Sequence, residues 1–139
     1  MSLLNDFAEW FKVRKVPIKR WYSDDVGRWA FRVEVDGQTF ICAARKTRPS
    51  KGTTSVMKRI AGRAQTRDAL VCLRLPDDET YVFDPVAVLA HGEADDILQD
   101  DRKKRGEVWV RFPLSIGCRF EEWYDGTAEP AAYGEVDAF

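Results

Sequence analysis

An alternation of apolar and polar residues, followed by a turn signal, constrains the fold of this chain more than any other feature. Every second position of this segment is apolar, at Trp29, Phe31, Val33 and Val35. Such alternation predicts a strand with one buried face. The dipeptide Asp36-Gly37 follows, and Asp-Gly between two apolar runs is a strong hairpin signal. We therefore expect residues 39–47 to form a second strand that pairs back on the first.

Two helices are predicted on either side of this hairpin. Apolar residues at three- and four-residue spacing predict a helix over 2–15, which Pro17 would end. After the hairpin, the Thr/Ser cluster before residue 56 offers N-caps for a helix over 55–67. Its apolar stripe would consist of Val56, Ile60 and Ala64.

The remaining elements are short. A strand over 18–22 is predicted ahead of the hairpin, and others over 69–75, 80–83 and 107–112, with a helical turn over 86–89. Residues 92–106 are charged and predict a loop. The chain should form one α+β domain over 1–125, with a mixed β-sheet in the order αβββαβ flanked by helices. Residues 126–139 are expected to form a flexible acidic tail.

The composition agrees with one packed domain in the cytoplasm. Five tryptophans and eight phenylalanines among 139 residues need an apolar interior. No apolar run reaches the roughly 20 residues of a membrane-spanning helix, and residues 1–6 lack the layout of a signal peptide, so no membrane partner is expected. The cysteines Cys42, Cys72 and Cys118 are widely spaced and are expected to be small core residues.

Charge is segregated along the chain. Residues 1–70 contain 15 Lys/Arg against 7 Asp/Glu, whereas residues 71–139 contain 7 against 16. Residues 38–67 contain eight cations and no acid. Such a cationic segment is typical of a site for a polyanion. The alternative is that the two halves of the chain neutralise each other across the fold.

The predicted order of elements resembles the core of the PD-(D/E)XK nuclease superfamily, which includes the archaeal Holliday junction resolvases. The resemblance covers about residues 2–83 and implies a restriction-endonuclease-like core. It also implies a metal site, built from an acid at the second strand and an acid-x-Lys triplet on the third, often with a glutamate from the first helix. Clustered carboxylates of this kind hold Mg²⁺, which polarises a phosphate.

Only part of that catalytic set is present in this chain. The triplet falls on Ala44-Arg45-Lys46, so Lys46 matches and the carboxylate is absent. The resemblance suggests Glu9 as the helix acid and Asp25 as the acid near the second strand. The candidate catalytic residues are thus Glu9, Asp25 and Lys46, with a degenerate site. An active Mg²⁺-dependent nuclease would need a displaced carboxylate, for which Glu34 and Asp36 are candidates.

We therefore expect a nucleic-acid-binding protein, with DNA as the favoured partner and no required cofactor. The candidate binding residues are Arg45, Lys46, Arg48, Lys51, Lys58, Arg59, Arg63 and Arg67. Arg48 and Lys51 are expected to form a phosphate cradle with the first amides of the 55–67 helix. The alternatives are the active Mg²⁺-dependent endonuclease or junction resolvase, and a protein-interaction module. The third could dock a basic partner on its acidic half or self-associate as a homodimer.

Overall fold

The computed structural model describes residues 3–21, 30–46, 48–94 and 108–132. Within these ranges the helices are α1 (Leu3–Val13), α2 (Lys58–Thr66), α3 (Pro85–His91) and α4 (Phe120–Tyr124), with a 3-10 helix at Leu114–Ile116. The strands are β1 (Lys19–Trp21), β2 (Phe31–Val35), β3 (Gln38–Ala44), β4 (Thr53–Met57), β5 (Leu70–Arg74), β6 (Thr80–Phe83), β7 (Glu93–Ala94), β8 (Trp109–Pro113) and β9 (Cys118–Arg119).

Six strands of the described ranges form the main sheet, in the order β1-β2-β3-β5-β6-β9. β1, β2 and β3 are antiparallel neighbours, and β5 lies parallel to β3. A parallel pair needs a crossover connection, and α2 lies within it. The predicted α+β class with a helix-flanked mixed sheet is confirmed. The element order is αβββαβ with one added strand, β4, ahead of α2.

A second sheet covers part of one face of the molecule. β4, β8 and β7 pair in that order, all antiparallel. Val56 of β4 lies opposite Val110 of β8, and both side chains are buried. β7 occupies the start of the predicted 92–106 loop, and residues 95–107 lie outside the described residues.

Apolar clusters lie on both faces of the main sheet. Phe40 and Cys42 of β3 belong to the cluster that contains Phe7 and Phe11 of α1. The alternate β3 residues Ile41 and Ala43 belong to the cluster that contains the buried α2 residues Ile60, Ala61 and Ala64. Because side chains alternate across a strand, α1 and α2 lie on opposite faces of the sheet. The alternation therefore places each β3 side chain on either the α1 face or the α2 face of the sheet.

The predicted hairpin is confirmed. β2 and β3 pair from Phe31↔Cys42 to Val35↔Gln38, which leaves a two-residue loop. Asp36 and Gly37 adopt φ of 50° and 82°, as a type I′ turn requires. Phe31 and Val33 are buried, as the alternation predicts, and the Phe31 ring meets the Phe7 ring edge-on at 5.4 Å. Trp29 lies outside the described residues.

The predicted helix over 55–67 is wrong in its first turn. Residues Thr53–Met57 form β4, and α2 begins at Lys58. Met57 occupies the N-cap position of α2 without a side-chain hydrogen bond, so the Thr/Ser cluster does not cap this helix. The β-branched residues Thr53, Thr54 and Val56 suit a strand. Their pairing partner, β8, is more than 50 residues away, and local periodicity does not reveal it.

The remaining elements follow local sequence signals closely. Asp84 caps α3 by accepting a hydrogen bond from the Val86 amide at 2.8 Å, with Pro85 in the first turn. In the predicted tail, the Ala131 amide donates to the Ile116 carbonyl at 2.9 Å. Residues 133–139 lie outside the described residues, and flexibility of the tail stays a prediction. No helix among the described residues is long and apolar enough to cross a membrane.

The three cysteines are free and buried, as predicted for core residues. Cys42 and Cys72 are register partners on the parallel strands β3 and β5. Burial raises the pKa of the Cys42 thiol well above its usual range, and contact with Cys72 adds to the shift. Burial likewise raises the pKa of Cys118 to about 11. The thiols of Cys42 and Cys118 are therefore protonated at neutral pH.

Candidate nucleic-acid interface

The end of β3 shows what replaces the missing carboxylate of the acid-x-Lys triplet. Ala44 follows Phe40 and Cys42 in alternation, so its side chain lies on the α1 face and is exposed. Its register partner on β5 is Arg74, which lies on the same face. An arginine side chain therefore stands beside the position where the resemblance implies a metal-binding acid.

Arg74 already binds the acids nearest to it. Its guanidinium forms an ion pair with Asp6 of α1 and a second with Asp78, at 3.2 Å, in the turn after β5. The helix acid at this edge of the sheet is therefore Asp6. Because a guanidinium neutralises both carboxylates, this cluster is a poor ligand set for Mg²⁺.

Glu9, the predicted helix acid, lies elsewhere on α1. It is exposed, and it lines an open groove together with Lys12, Lys15 and Ile18. Lys46 is exposed just beyond the end of β3 and is absent from that groove. Within the described part of the chain, neither side chain forms a hydrogen bond or ion pair with the other.

The remaining candidate acids do not complete a metal site at this edge. Asp25 lies outside the described residues. Glu34 pairs in register with Thr39, five residues before Ala44 along β3, which is about 17 Å at a rise of roughly 3.3 Å per residue. Asp36 is farther still, in the hairpin turn. Mg²⁺ binds oxygen at about 2.1 Å, so these two acids are too distant to share an ion with this edge.

No group of three or more His, Cys, Asp or Glu side chains in the described ranges could hold a metal ion. The sequence-predicted catalytic residues Glu9 and Lys46 are thus not brought together as a site. What remains at the edge is Arg74 with two bound carboxylates beside Ala44, with Lys46 two residues farther along the chain.

The predicted basic segment falls into two parts. Lys46, Arg48 and Lys51 lie in the connection before β4, whereas Lys58, Arg59, Arg63 and Arg67 lie in or just after α2. β4 separates the two parts, and its first and last residues are four steps apart, about 13 Å at roughly 3.3 Å per step. The cations therefore lie along an extended surface rather than on one helix.

The predicted phosphate cradle is wrong, because Arg48 and Lys51 precede β4 and not the helix. Lys51 and Gly52 form a tight turn with φ of 54° and 73°, closed by hydrogen bonds between Ser50 and Thr53. The turn leaves Lys51 exposed at its tip. At the start of α2, the Lys58 amide donates to the Val108 carbonyl at 2.9 Å and is thus already bonded.

Part of the cationic segment is neutralised by the acidic half of the chain. Arg48 forms a bidentate ion pair with Asp77, with N–O distances of 2.8 and 3.1 Å. Arg45 is half-buried, with its guanidinium 5.0 Å from the centre of the Trp109 ring on β8. Arg48 is thus neutralised by an acid, as the neutralisation alternative requires, and Arg45 contacts an aromatic ring within the fold. They are weaker candidates for a ligand contact than the sequence suggests.

Five other cations are not neutralised in this way. Among the described residues, their side chains form no ion pair or hydrogen bond, and they are Lys46, Lys51, Lys58, Arg59 and Arg63. Elsewhere on the molecule arginines do find acids, since Arg14 and Arg119 both form ion pairs. Uncompensated positive charge is thus concentrated in this stretch of the described chain, although Lys12, Lys15 and Arg111 also form no ion pair with described residues.

Three of the five lie on the outward side of α2. Arg59, Gly62, Arg63 and Thr66 follow the i, i+3, i+4, i+7 spacing of one helix face, with Lys58 one turn before Gly62. We call these five residues the α2 face. The residues that bury the helix, Ile60, Ala61 and Ala64, point the other way. Charge pattern alone suggested the cations of this face, whereas the roles of Asp6, Arg74 and Gly62 required the packing and register.

Searches against models of protein families, curated proteins and solved structures find no match to this chain.

Proposed function

We propose that the protein binds nucleic acid, with duplex DNA as the ligand, through the cationic surface formed by Lys46, Lys51, Lys58, Arg59 and Arg63, and does not cleave it. One observation carries the proposal: these five cations have no acidic partner within the described residues, although acids neutralise Arg14, Arg74 and Arg119 elsewhere. Cations that lack an acidic partner and repeat along a surface suit a regular polyanion.

We also propose that the fold is related to that of the PD-(D/E)XK nucleases. The order of a helix, three antiparallel strands, a crossover helix and a parallel strand supports it. The ion pairs of Arg74 beside Ala44 favour a nuclease-like domain that binds without catalysis. We also place the protein in the cytoplasm, which the three free thiols support, because a reducing compartment keeps thiols in that state.

The test is a binding titration with labelled duplex DNA, followed by fluorescence anisotropy over a range of salt concentrations. The double variant Arg59→Ala, Arg63→Ala should bind duplex DNA more weakly than the wild type does, by a similar factor for duplexes of unrelated sequence. Its plot of log K against log salt should be shallower by about 2, since each phosphate contact contributes roughly 0.9 to the slope. Phosphate contacts position a protein without reading sequence, so the loss should not depend on the duplex.

The matched control removes two cations from the opposite face of the sheet. Lys12 and Lys15 are exposed at the end of α1 and form no ion pair with described residues. Lys15 has φ of 59°, so asparagine, which tolerates that conformation, replaces it. Lys12→Gln, Lys15→Asn should leave the affinity nearly unchanged. Equal losses in both double variants would indicate attraction by net charge alone and would refute a defined surface.

Salt dependence also separates this proposal from a protein-interaction module. Binding to a polyanion weakens steeply with salt, whereas an apolar interface between proteins does not. Failure of the wild-type protein to bind any duplex at low salt would favour the module, including self-association as a homodimer.

A further inference from the structure

Gly62 is an unusual residue for its position on the α2 face. It lies in the middle of a nine-residue helix, where glycine is less favourable to helix stability than every other residue except proline. A helix as short as α2 is marginal by itself, so this cost is considerable. The position therefore calls for a reason that outweighs helix stability.

Nothing among the described residues supplies that reason. A Cβ atom added at Gly62 would meet no atom within 4 Å. The residue is not in the left-handed region either, in contrast to Gly37, Gly52 and Gly126. Gly117 shows what a packing requirement looks like, because a Cβ there would lie 2.5 Å from Phe83 Cδ1 and would overlap the ring. Packing and backbone conformation thus both leave Gly62 unexplained.

The surroundings of Gly62 indicate an external partner. Lys58 precedes it by one turn, Arg59 by three residues, and Arg63 follows it directly. Cβ atoms three or four residues apart on a helix are about 5–6 Å from each other. The glycine thus leaves a bare stretch of main chain between cations that have no described partner.

We infer that α2 lies directly against the phosphate backbone of duplex DNA, and that Gly62 is the point of closest approach. This deepens the proposed function and rests on it. Without a side chain at Gly62, a phosphodiester strand reaches the helix surface, and the long side chains of Arg59 and Arg63 contact phosphates on either side. Glycine is the residue that permits such close approach of a backbone to a ligand.

The composition of the α2 face favours a duplex over a single strand. It consists of Lys58, Arg59, Gly62, Arg63 and Thr66, and it contains no aromatic ring. Proteins that bind single strands combine cations with aromatic platforms on which bases stack. A face of cations around bare main chain offers phosphates a contact and bases none. The occupant is therefore a paired helix, contacted without sequence reading.

The experiment adds a side chain at Gly62 without changing the charge. Gly62→Ala and Gly62→Gln both introduce better helix formers into open space, so the Tm of each variant should equal or exceed that of the wild type. Affinity for duplex DNA should nevertheless fall, slightly for alanine and roughly tenfold or more for glutamine, the effect of losing about one charged hydrogen bond. Higher stability combined with weaker binding separates an interface from a folding defect.

The control places the same glutamine on the other side of the main sheet. Ala8 is partly exposed on α1 beside the open groove, and Ala8→Gln should leave duplex affinity unchanged. Each variant is titrated with a duplex, with a single strand of the same length and with polyglutamate as a competitor. The duplex should bind at least about tenfold more tightly than the single strand, because only the phosphate contacts are available.

The possible results distinguish this inference from the proposed function. If Arg59→Ala, Arg63→Ala weakens binding and Gly62→Gln does not, the proposed function stands and the close approach at Gly62 is refuted. If the single strand or polyglutamate binds as tightly as the duplex, the duplex as occupant is refuted. If the wild-type protein binds no duplex, both proposals fail.

Discussion

The guanidinium of Arg14 lies 3.1 Å from the carboxylate of Asp78 and so joins α1 to the turn between β5 and β6. The same guanidinium lies 3.9 Å from the centre of the Trp10 ring and 3.3 Å from the carboxylate of Glu121 in α4. The hydrogen bond from Arg14 is the main cause that lowers the pKa of Asp78, and Arg74 lowers it further. One side chain therefore connects three separate parts of the fold.

Arg14→Gln should lower the free energy of unfolding by about 1 kcal/mol at pH 7, the sum of exposed ion pairs and a cation–π contact. Since the pKa of Asp78 is lowered in the folded state, its ion pair stabilises the fold above the pKa of an unfolded Asp, about 3.9. The stabilisation is lost as the pH falls through the lower folded value. Urea unfolding at pH 7 and pH 3 should therefore show a smaller difference between the two proteins at pH 3.

Lys12→Gln is the control for this experiment. Lys12 lies on the same helix as Arg14 and forms no ion pair with described residues. Its effect on stability should stay within roughly 0.5 kcal/mol at both pH values. A difference between wild type and Arg14→Gln that grows towards pH 3 would contradict the assigned pKa direction.

Gly117 offers a test of the packing between the main sheet and the second sheet. A Cβ atom at this position would lie 2.5 Å from Phe83 Cδ1 and 2.8 Å from the Val82 carbonyl oxygen. The Phe83 ring is fully buried and meets the Phe112 ring edge-on at 4.9 Å, so it has little room to move. Gly117→Ala should destabilise the protein by about 1–3 kcal/mol in denaturant unfolding, as overpacking does.

A smaller residue at position 83 should relieve this overlap. Phe83→Leu alone creates a cavity and destabilises the protein. Combined with Gly117→Ala, the loss should be less than the sum of the two single losses, because the two residues compete for one volume. Additive losses would mean that the ring and residue 117 are not in contact.

Divalent metal should not convert the protein into a nuclease. Incubation with Mg²⁺ or Mn²⁺ should leave duplex, branched and single-stranded DNA intact, because Ala44 offers no ligand and Arg74 binds Asp6 and Asp78. Gel electrophoresis of labelled substrates over hours measures this. Metal-dependent cleavage that disappears in Lys46→Ala would overturn the expectation and revive the endonuclease alternative.

Sequence periodicity predicts most of the main sheet, because its signals are local. The hairpin at Asp36-Gly37 follows from turn chemistry, and the burial of Phe31 and Val33 follows from alternation. The second sheet is different in kind. β4 pairs with a strand more than 50 residues away, and such pairing leaves no mark on local periodicity. Val56, Ile60 and Ala64 are all buried, as the predicted apolar stripe requires. Val56 lies in β4, however, whereas the other two lie in α2.

The candidate site divides in the same way. The segregation of charge along the sequence predicts the cations of α2 that have no acidic partner, because a cation at the surface needs no particular tertiary contact. It does not predict that Arg48 binds Asp77 or that Arg45 lies by Trp109, since both depend on tertiary contacts. The position of Asp6 beside Arg74 also requires the packing of α1 on the sheet.

The junction between β4 and α2 determines how a load on the helix would spread. Met57 ends the strand and Lys58 begins the helix, with no residue between them, and the Lys58 amide is bonded to the Val108 carbonyl. Such a junction contains no hinge. A pull on Arg59 or Arg63 would be passed as strain into the β4–β8 ladder and would not be absorbed by a loop. Amide hydrogen exchange in β4 and β8 would then slow when the α2 face is occupied, although neither strand touches the ligand.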